Sequence, residues 1–268
     1  MTVWLVQLVF DCADPDEVAR FWGRALEYRN DLAHASAEEI AAFRRQHPQF
    51  EGRGRVDDRQ LRRPPVYIQR VSEPKQGRER VRLEVAVPPG GRAAAVNELR
   101  SLGATGQDEL RDVEGNEFSV VEEKGLTERR LRSVVFDALD PDRLLRFWSE
   151  ATGYPPSEGR CDPPAEGPSW GDGAFLVEGR RYLHVTGMEA EPATGGRLFD
   201  LTPGLAFLAA DSPKARKNRL HLDLNSTDAE SDRRRLVRLG ATVLRWDTDH
   251  VMADPEGNEF CLSPSRVA

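Results

Sequence analysis

This sequence is short of the residues that staple a chain and of the long apolar runs that anchor it in lipid, and it has no excess of positive charge to draw it to polyanions. It has three cysteines in 268 residues, Cys12, Cys161 and Cys261, odd in number and far apart. Neither a disulfide framework nor a zinc-type spacing can be read in them. No apolar run approaches the roughly 20 residues that cross a bilayer. The opening "MTVWLVQLVFDCAD" has no basic flank and no small-residue cleavage site, so it reads as a strand and not as a secretion signal. The expected location is a reducing cytoplasm, with no membrane partner. Positive charge is outweighed: 45 Asp and Glu against 38 Lys and Arg leave a formal net charge of -7. A phosphate-backbone binder needs a basic face, so no nucleic-acid partner is expected. The Arg-rich stretches "RLRSVV" and "RRRLVR" sit among Glu and Asp and read as solvated faces. "GRGR" at 52–55 and "GG" at 195–196 lack a strand before and a helix after, so neither is a nucleotide-binding fingerprint.

What the sequence has is a second copy of itself. "VFDCADPDEVARFW" at 9–22 returns as "VFDALDPDRLLRFW" at 135–148. "EPKQGRERVRLEVAV" at 73–87 returns as "SPKARKNRLHLDLNS" at 212–226, and "LRSLGAT" as "LVRLGAT". "DVEGNEFSV" at 112–120 returns as "DPEGNEFCL" at 254–262. The pairs keep their order, and self-similarity over this length means tandem copies of a domain, not a solenoid. The boundaries follow as 1–124 and 130–268, with 125–129 as linker.

Within each copy the elements also repeat. "VWLVQLVFD" alternates as a strand. Asp14 then precedes Pro15, with Glu17 three residues on: an N-cap, a proline at the first helical position and a capping-box acid. The helix "PDEVARFWGRAL" follows, with Val18, Phe21, Trp22 and Leu26 on one face. Strands "VYIQRV" and "VRLEVAV", a helix closed by Gly103 and a final strand "NEFSVVE" complete copy one. Copy two repeats this with Asp140–Pro141, "RLHLDL", a helix closed by Gly240 and "NEFCL". Each copy is a strand–helix–strands unit used twice.

The combination of the D-P-D…FW start, the PK…NRLHLDL strand, the LGAT helix end and the D-P-E-G-N-E-F hairpin resembles the vicinal oxygen chelate superfamily. The likeness is to its glyoxalase-like and bleomycin-resistance-like branch. It implies an α+β fold of two tandem glyoxalase-like domains, each of two βαβββ modules, with curled mixed sheets around a cleft. The superfamily spans lyases, isomerases, dioxygenases, transferases and non-catalytic drug binders, so fold does not fix function.

Strand alternation assigns the faces. Trp4, Val6, Leu8 and Phe10 should pack under the helix. Leu5, Gln7, Val9 and Asp11 should face the cleft, as should Leu131, Ser133, Val135 and Asp137 in copy two. Arg82 and Glu84, and likewise His221, Asp223 and Asn225, also face it, as do Ser119 and Cys261. The resemblance places metal ligands at one position each on the first, fourth, fifth and eighth strands. Copy one offers Gln7, Gln69, Arg82 and Ser119; copy two offers Ser133, Leu208, His221 and Cys261. The best set, mixed across copies, is Gln7, Gln69, His221 and Cys261. It holds no carboxylate to balance a dication, so neither metal nor cofactor is expected.

His221 reads as a general base, a ligand contact or a satisfied structural imidazole. Cys261 reads as a nucleophile or a small filler, the filler being favoured. Asp11, Asp137, Glu84 and Asp223 recur between copies, which suits either acid–base work or a shared structural duty. The catalytic candidates are therefore His221, Asp223 and Cys261. The ligand-binding candidates are Gln7, Asp11, Gln69, Ser133, Asp137, Trp170, His221 and Asp223. Trp170 lies in the Pro- and Gly-rich "PPSEGRCDPPAEGPSWGDGAF", read as a loop, with the tryptophan either a lid over the second cleft or a plug for a core gap. Copy one carries "SAEEIAAFRRQHPQF" there, read as a capped amphipathic helix. Because copy one is shortened before its last hairpin, copy two is expected to hold the better pocket.

Three functions fit. The leading one is a metal-independent binder or sequestering protein for a small-molecule ligand. The alternative is a lyase- or isomerase-type enzyme using His221 and the cleft acids, with or without a divalent metal. The third is a scaffold with filled clefts. Either a monomer with an internal pseudo-dimer or a homodimer satisfies the pairing surfaces.

Overall fold

The computed structural model describes residues 3–29, 36–46, 48, 51–59, 62–107, 109–154, 174–177, 180–185, 203–247 and 250–265. Trp170, Cys161 and the loop expected around them lie outside the described residues. Copy one runs β1 (Val3–Cys12), α1 (Pro15–Ala25), α2 (Ala37–Gln46), β2 (Arg53–Val56), β3 (Val66–Arg70), β4 (Val81–Val87), α3 (Arg92–Ser101), β5 (Thr105–Gly106), β6 (Leu110–Arg111) and β7 (Glu117–Glu122). Copy two runs β8 (Arg130–Ala138), α4 (Pro141–Thr152), β9 (Ala174–Val177), β10 (Arg180–Val185), β11 (Gly204–Ala209), β12 (Leu220–Ser226), α5 (Ala229–Arg238), β13 (Thr242–Arg245), β14 (Val251–Ala253) and β15 (Glu259–Pro264).

The strands form two sheets, neither closed into a barrel. The first, sheet A, has the order β13-β14-β15-β12-β1-β3-β2; the second, sheet B, has the order β5-β6-β7-β4-β8-β11-β10-β9. Each sheet joins one module of copy one to one module of copy two. Its seam is an antiparallel pair across copies, β1 with β12 in sheet A and β4 with β8 in sheet B. The two modules of one copy instead meet through their helix-bearing faces. Trp22 of α1 stacks on Phe10 of β1 at 5.2 Å and meets Phe118 of β7 edge-on at 5.2 Å. Trp148 of α4 does the same between Phe136 and Phe260. One continuous buried core results, drawing on both sheets and both copies.

Local chemistry explains how each unit is set. The Asp14 carboxylate accepts from the N–H groups of Asp16 and Glu17 and starts α1. The capping-box role expected of Glu17 falls to Glu114. Its carboxylate reaches back from the final turn to accept from the Ala13 and Asp14 N–H groups, at 2.7 and 2.6 Å. Glu256 serves Leu139 and Asp140 in the same way. These two contacts join distant segments, which spacing rules cannot see. At α2 the reciprocal Ser36–Glu39 box forms as expected.

The turn before each last strand is built on a buried aspartate. Asp254 accepts from the N–H groups of Glu256 and Asn258, the Asn258 amide and the Trp148 indole. Asp112 makes the matching set with Glu114, Asn116 and Trp22. The copies part at one atom. Asn218 donates to Asn258 Oδ1 at 3.1 Å, whereas Asn116 Oδ1 is buried with no hydrogen-bond partner. Glu79 stands where Asn218 does, and its N–H likewise bonds the hairpin glutamate, Glu117. Burial raises the Glu79 carboxyl, against the bond it accepts from the Arg219 N–H. A raised folded-state pKa means that the contribution of neutral Glu79 is present in acid and lost as pH rises through that value. Glu79→Gln supplies a permanent donor. It should raise unfolding stability by about 1 kcal/mol near pH 8 and by almost nothing near pH 4 in paired denaturant melts.

One face assignment needs correction. β1 carries a bulge at Val6, since Leu5 pairs with Leu224 and Gln7 with Asp223. The extra residue flips the parity before it. Val3 and Leu5 therefore lie in the core, and Trp4 stands opposite Asn225 on the other face. The same shift at Arg132 puts Leu131 in the core. Beyond the bulge the predicted parity holds, with Leu8 and Phe10 in the core.

Candidate functional site

The faces of the two sheets turned away from the helices differ sharply. In β12 burial alternates, with Leu220, Leu222 and Leu224 buried and His221, Asp223 and Asn225 partly open. In β4 every residue is buried on both faces. The sheet B face is closed by charge: Arg82 meets Asp137 at 2.5 Å, Arg132 meets Glu84 at 2.6 Å, and Ser133 donates to Glu84 at 2.9 Å. Each charged group there has its counterpart. Ser133 and Asp137, expected as ligand contacts, belong to this network.

The sheet A face collects the remaining candidates. β1 brings Gln7 and Asp11, β3 brings Gln69, β12 brings His221 and Asp223, and β15 brings Cys261. Asp223 is the hub. Gln7 Nε2 donates to its Oδ2 at 2.8 Å. His221 Nε2 lies 3.5 Å from its Oδ1. Cys261 is its register partner on the parallel neighbour β15 and bonds it through the thiol. Burial alone would raise the Asp223 carboxyl, but the bonds from His221, Gln7 and Cys261 hold it below the ordinary value. It is an anion in the open sheet. Asp11 is engaged elsewhere, accepting from Gln69 at 2.6 Å and pairing with Lys217.

Two polar atoms of this cluster have hydrogen-bonding capacity to spare: His221 Nδ1 is buried without a hydrogen-bond partner, and Asp223 Oδ1 meets His221 Nε2 only at 3.5 Å. Leaving such atoms unpaired costs about 1–3 kcal/mol each. They are what an incoming ligand can satisfy.

The four ligand positions nominated by resemblance do not assemble as a set. Gln69 is turned to Asp11, and the Gln7 amide nitrogen faces Asp223. The missing carboxylate is nevertheless there: Asp223 joins His221 and Cys261, with one ligand atom from each lying within 4.8 Å of the others. Sequence reasoning passed over it because Asp223 is two positions beyond the nominated His221. The expectation of a better pocket in copy two also changes, because the open face takes its walls equally from β1 and β3 of copy one and β12 and β15 of copy two.

Two residues of this face were missed. Trp4 was hidden by the bulge. Tyr67 pairs with Val9 and so shares the face, and burial raises its phenol, with Arg53 pulling it down and Asp223 pushing it up. Its signal was the alternation of "VYIQR", in which Val66 and Ile68 are buried. A separate cavity of about 280 Å³ lies between the loops before β4 and β12. Two of its lysines, Lys214 and Lys217, are committed to Glu259 and Asp11.

The fold is shared with glyoxalase I from Zea mays, at 12% identity over 97% of this chain and 92% of that one, with a TM-score of 0.59. A point variant of that enzyme gives 12% identity, 98% and 94% coverage and a TM-score of 0.61. A dioxygenase candidate from Bacillus subtilis gives 12% identity, 99% and 86% coverage and a TM-score of 0.54. No curated protein matches the sequence. The model of the glyoxalase-like domain matches residues 7–121 and again 133–263. The chain belongs to the glyoxalase-like domain family, with two tandem copies of the domain.

Proposed function

We propose that this protein binds a small polar molecule on the open face of sheet A. Trp4 and Tyr67 offer apolar walls, and His221, Asp223 and Gln7 offer the polar contacts. The observation that carries this reading is the buried, unpartnered His221 Nδ1 beside Asp223 Oδ1, which meets only His221 Nε2 at 3.5 Å, on a face whose counterpart in sheet B is closed by ion pairs. Both atoms are acceptors, so a ligand with two donors, such as a vicinal pair of hydroxyls, satisfies both. Proton-transfer chemistry of the lyase or isomerase type is the second reading. It is favoured by the 3.5 Å approach of His221 Nε2 to Asp223 Oδ1. An imidazole whose Nε2–H faces an anion presents a bare lone pair at Nδ1, the arrangement of an oriented general base.

The test is a thermal-shift screen of small hydroxy and carbonyl compounds, run on chelator-treated protein. A hit at a hundred times its Kd should stabilise by about 2.7 kcal/mol. Its effect should vanish in His221→Ala and survive in Ser119→Ala, which changes the sheet B face. Hits indifferent to His221 would refute the assignment of the site.

A further inference from the structure

The geometry points to the cavity between the loops before β4 and β12 as a binding site for a phosphate-type oxyanion, free or as the end group of a small molecule. None of the residues assigned to the sheet A site lines this cavity, so the inference goes beyond that reading.

The site follows from the repeat. "PKQGRER" at 74–80 and "PKARKNR" at 213–219 are one motif in two copies, and the function of the sheet A face uses neither. The two loops border a cavity of about 280 Å³. Five cations line it, Arg78, Arg80, Lys214, Arg216 and Lys217, against Glu79, Asp137 and Asp211. Three of the five are committed: Lys214 to Glu259, Lys217 to Asp11, and Arg78 to Glu109 at 2.6 Å. The other two cross the cavity, each toward the other copy's loop. Arg80 donates to Ser212 Oγ at 3.2 Å, and Arg216 donates to the Gln76 carbonyl at 3.4 Å. Both bonds are long and both end on uncharged oxygens. Among the described residues neither guanidinium pairs with a carboxylate.

The acids of the lining are already engaged. Asp137 is held by Arg82 at 2.5 Å and by Arg78 at 3.5 Å. Glu79 accepts from the Arg219 N–H at 2.9 Å, and burial raises its carboxyl, which lessens the charge it sets against an anion. Asp211 has a partner of its own. The convergent charge left over is therefore positive, and it comes as two planar forks from opposite sides. A fork offers paired N–H donors that match the oxygens of an oxyanion. Two forks call for at least three acceptor oxygens, which a phosphoryl group has and a carboxylate lacks. Gly77 gives one arm its room, since a Cβ there would meet Arg216 Nη1 at 2.6 Å. Gly77 is also the copy-one counterpart of Arg216, so this arm exists once per chain.

The test is calorimetric titration of the full chain, at fixed ionic strength in a buffer free of phosphate and sulfate. The probes are inorganic phosphate, pyrophosphate and glycerol phosphate, with acetate and chloride as controls. At least one phosphate probe should saturate a single site per chain, with acetate and chloride weaker by about tenfold or more. Arg80→Ala and Arg216→Ala should each weaken that binding by about tenfold, and Arg216→Lys by less, since it keeps the charge and loses the fork. Arg234→Ala removes an equal charge from α5, and His221→Ala alters the sheet A face; both should bind as the wild type does. Arg216 is exposed, so its alanine variant should keep the wild-type circular dichroism and decides the matter even where Arg80→Ala is less stable. Tighter binding of glycerol phosphate than of inorganic phosphate identifies an ester as the ligand class, and the reverse a free anion. The proposal is overturned by the absence of saturable binding with all three probes, by binding that Arg216→Ala leaves intact, or by binding that His221→Ala abolishes.

Discussion

Residues 1–126 expressed alone will not give a folded monomer, although they contain a whole copy of the repeat. The reason is the seam. β1 forms seven residue pairs with β12, and β4 forms six with β8, all across the copies. Cutting between copies leaves two long central strands with bare edges, and an unpaired central edge is a template for another chain. Two outcomes agree with the structure: an unfolded fragment, or a homodimer in which β1 of each molecule pairs with β4 of the other. Mixing with residues 127–268 should restore a one-to-one complex with the native near-ultraviolet spectrum. Size-exclusion chromatography with light scattering decides it. A compact monomer with native tertiary signal would show that the cross-copy seam is wrong.

Asp254→Ala should cost about 4 kcal/mol, and roughly 10 °C or more in Tm for a chain of this size. The Asp254 carboxylate accepts from two backbone N–H groups, the Asn258 amide and the Trp148 indole. Alanine strands all four donors inside the protein. Asp254→Asn should recover only part of the loss, because its amide NH2 points at donors. Burial pushes the Asp254 carboxyl up to about 6 even against these bonds, a measure of how little water reaches it. Asp112→Ala should behave alike in copy one. Chemical denaturation measures both, and a loss under about 1 kcal/mol for either would show that the turn does not depend on its aspartate.

The repeat made the fold legible from sequence, because each element is stated twice and its differences are visible. Side-chain parity was legible wherever a strand is regular. It placed His221, Asp223 and Cys261 on the correct face and Leu220, Leu222 and Leu224 beneath. It failed at Trp4 and Leu131 because a single extra residue at Val6 or Arg132 inverts everything before it, and no residue type announces a bulge. The site itself was half legible. Its residues were named, but Ser133 and Asp137 were grouped with them, since alternation says which side a residue takes and not which sheet it joins. Asp223 was undervalued for a related reason. Its importance comes from Gln7, more than two hundred positions away, and such a neighbour is set by the seam and not by local pattern.

The seam has a last consequence for how such a protein can diverge. Two identical chains joined about a twofold axis must carry two identical hollows, and any substitution is felt in both. Fusing the halves end to end frees each hollow to drift by itself. Here one wall carries a guanidinium, Arg82, locked to Asp137, at the place where the other carries the imidazole of His221. The two hollows of this one chain are therefore unlike: one is braced by ion pairs across its floor, and the other keeps a partly open row of His221, Asp223 and Asn225.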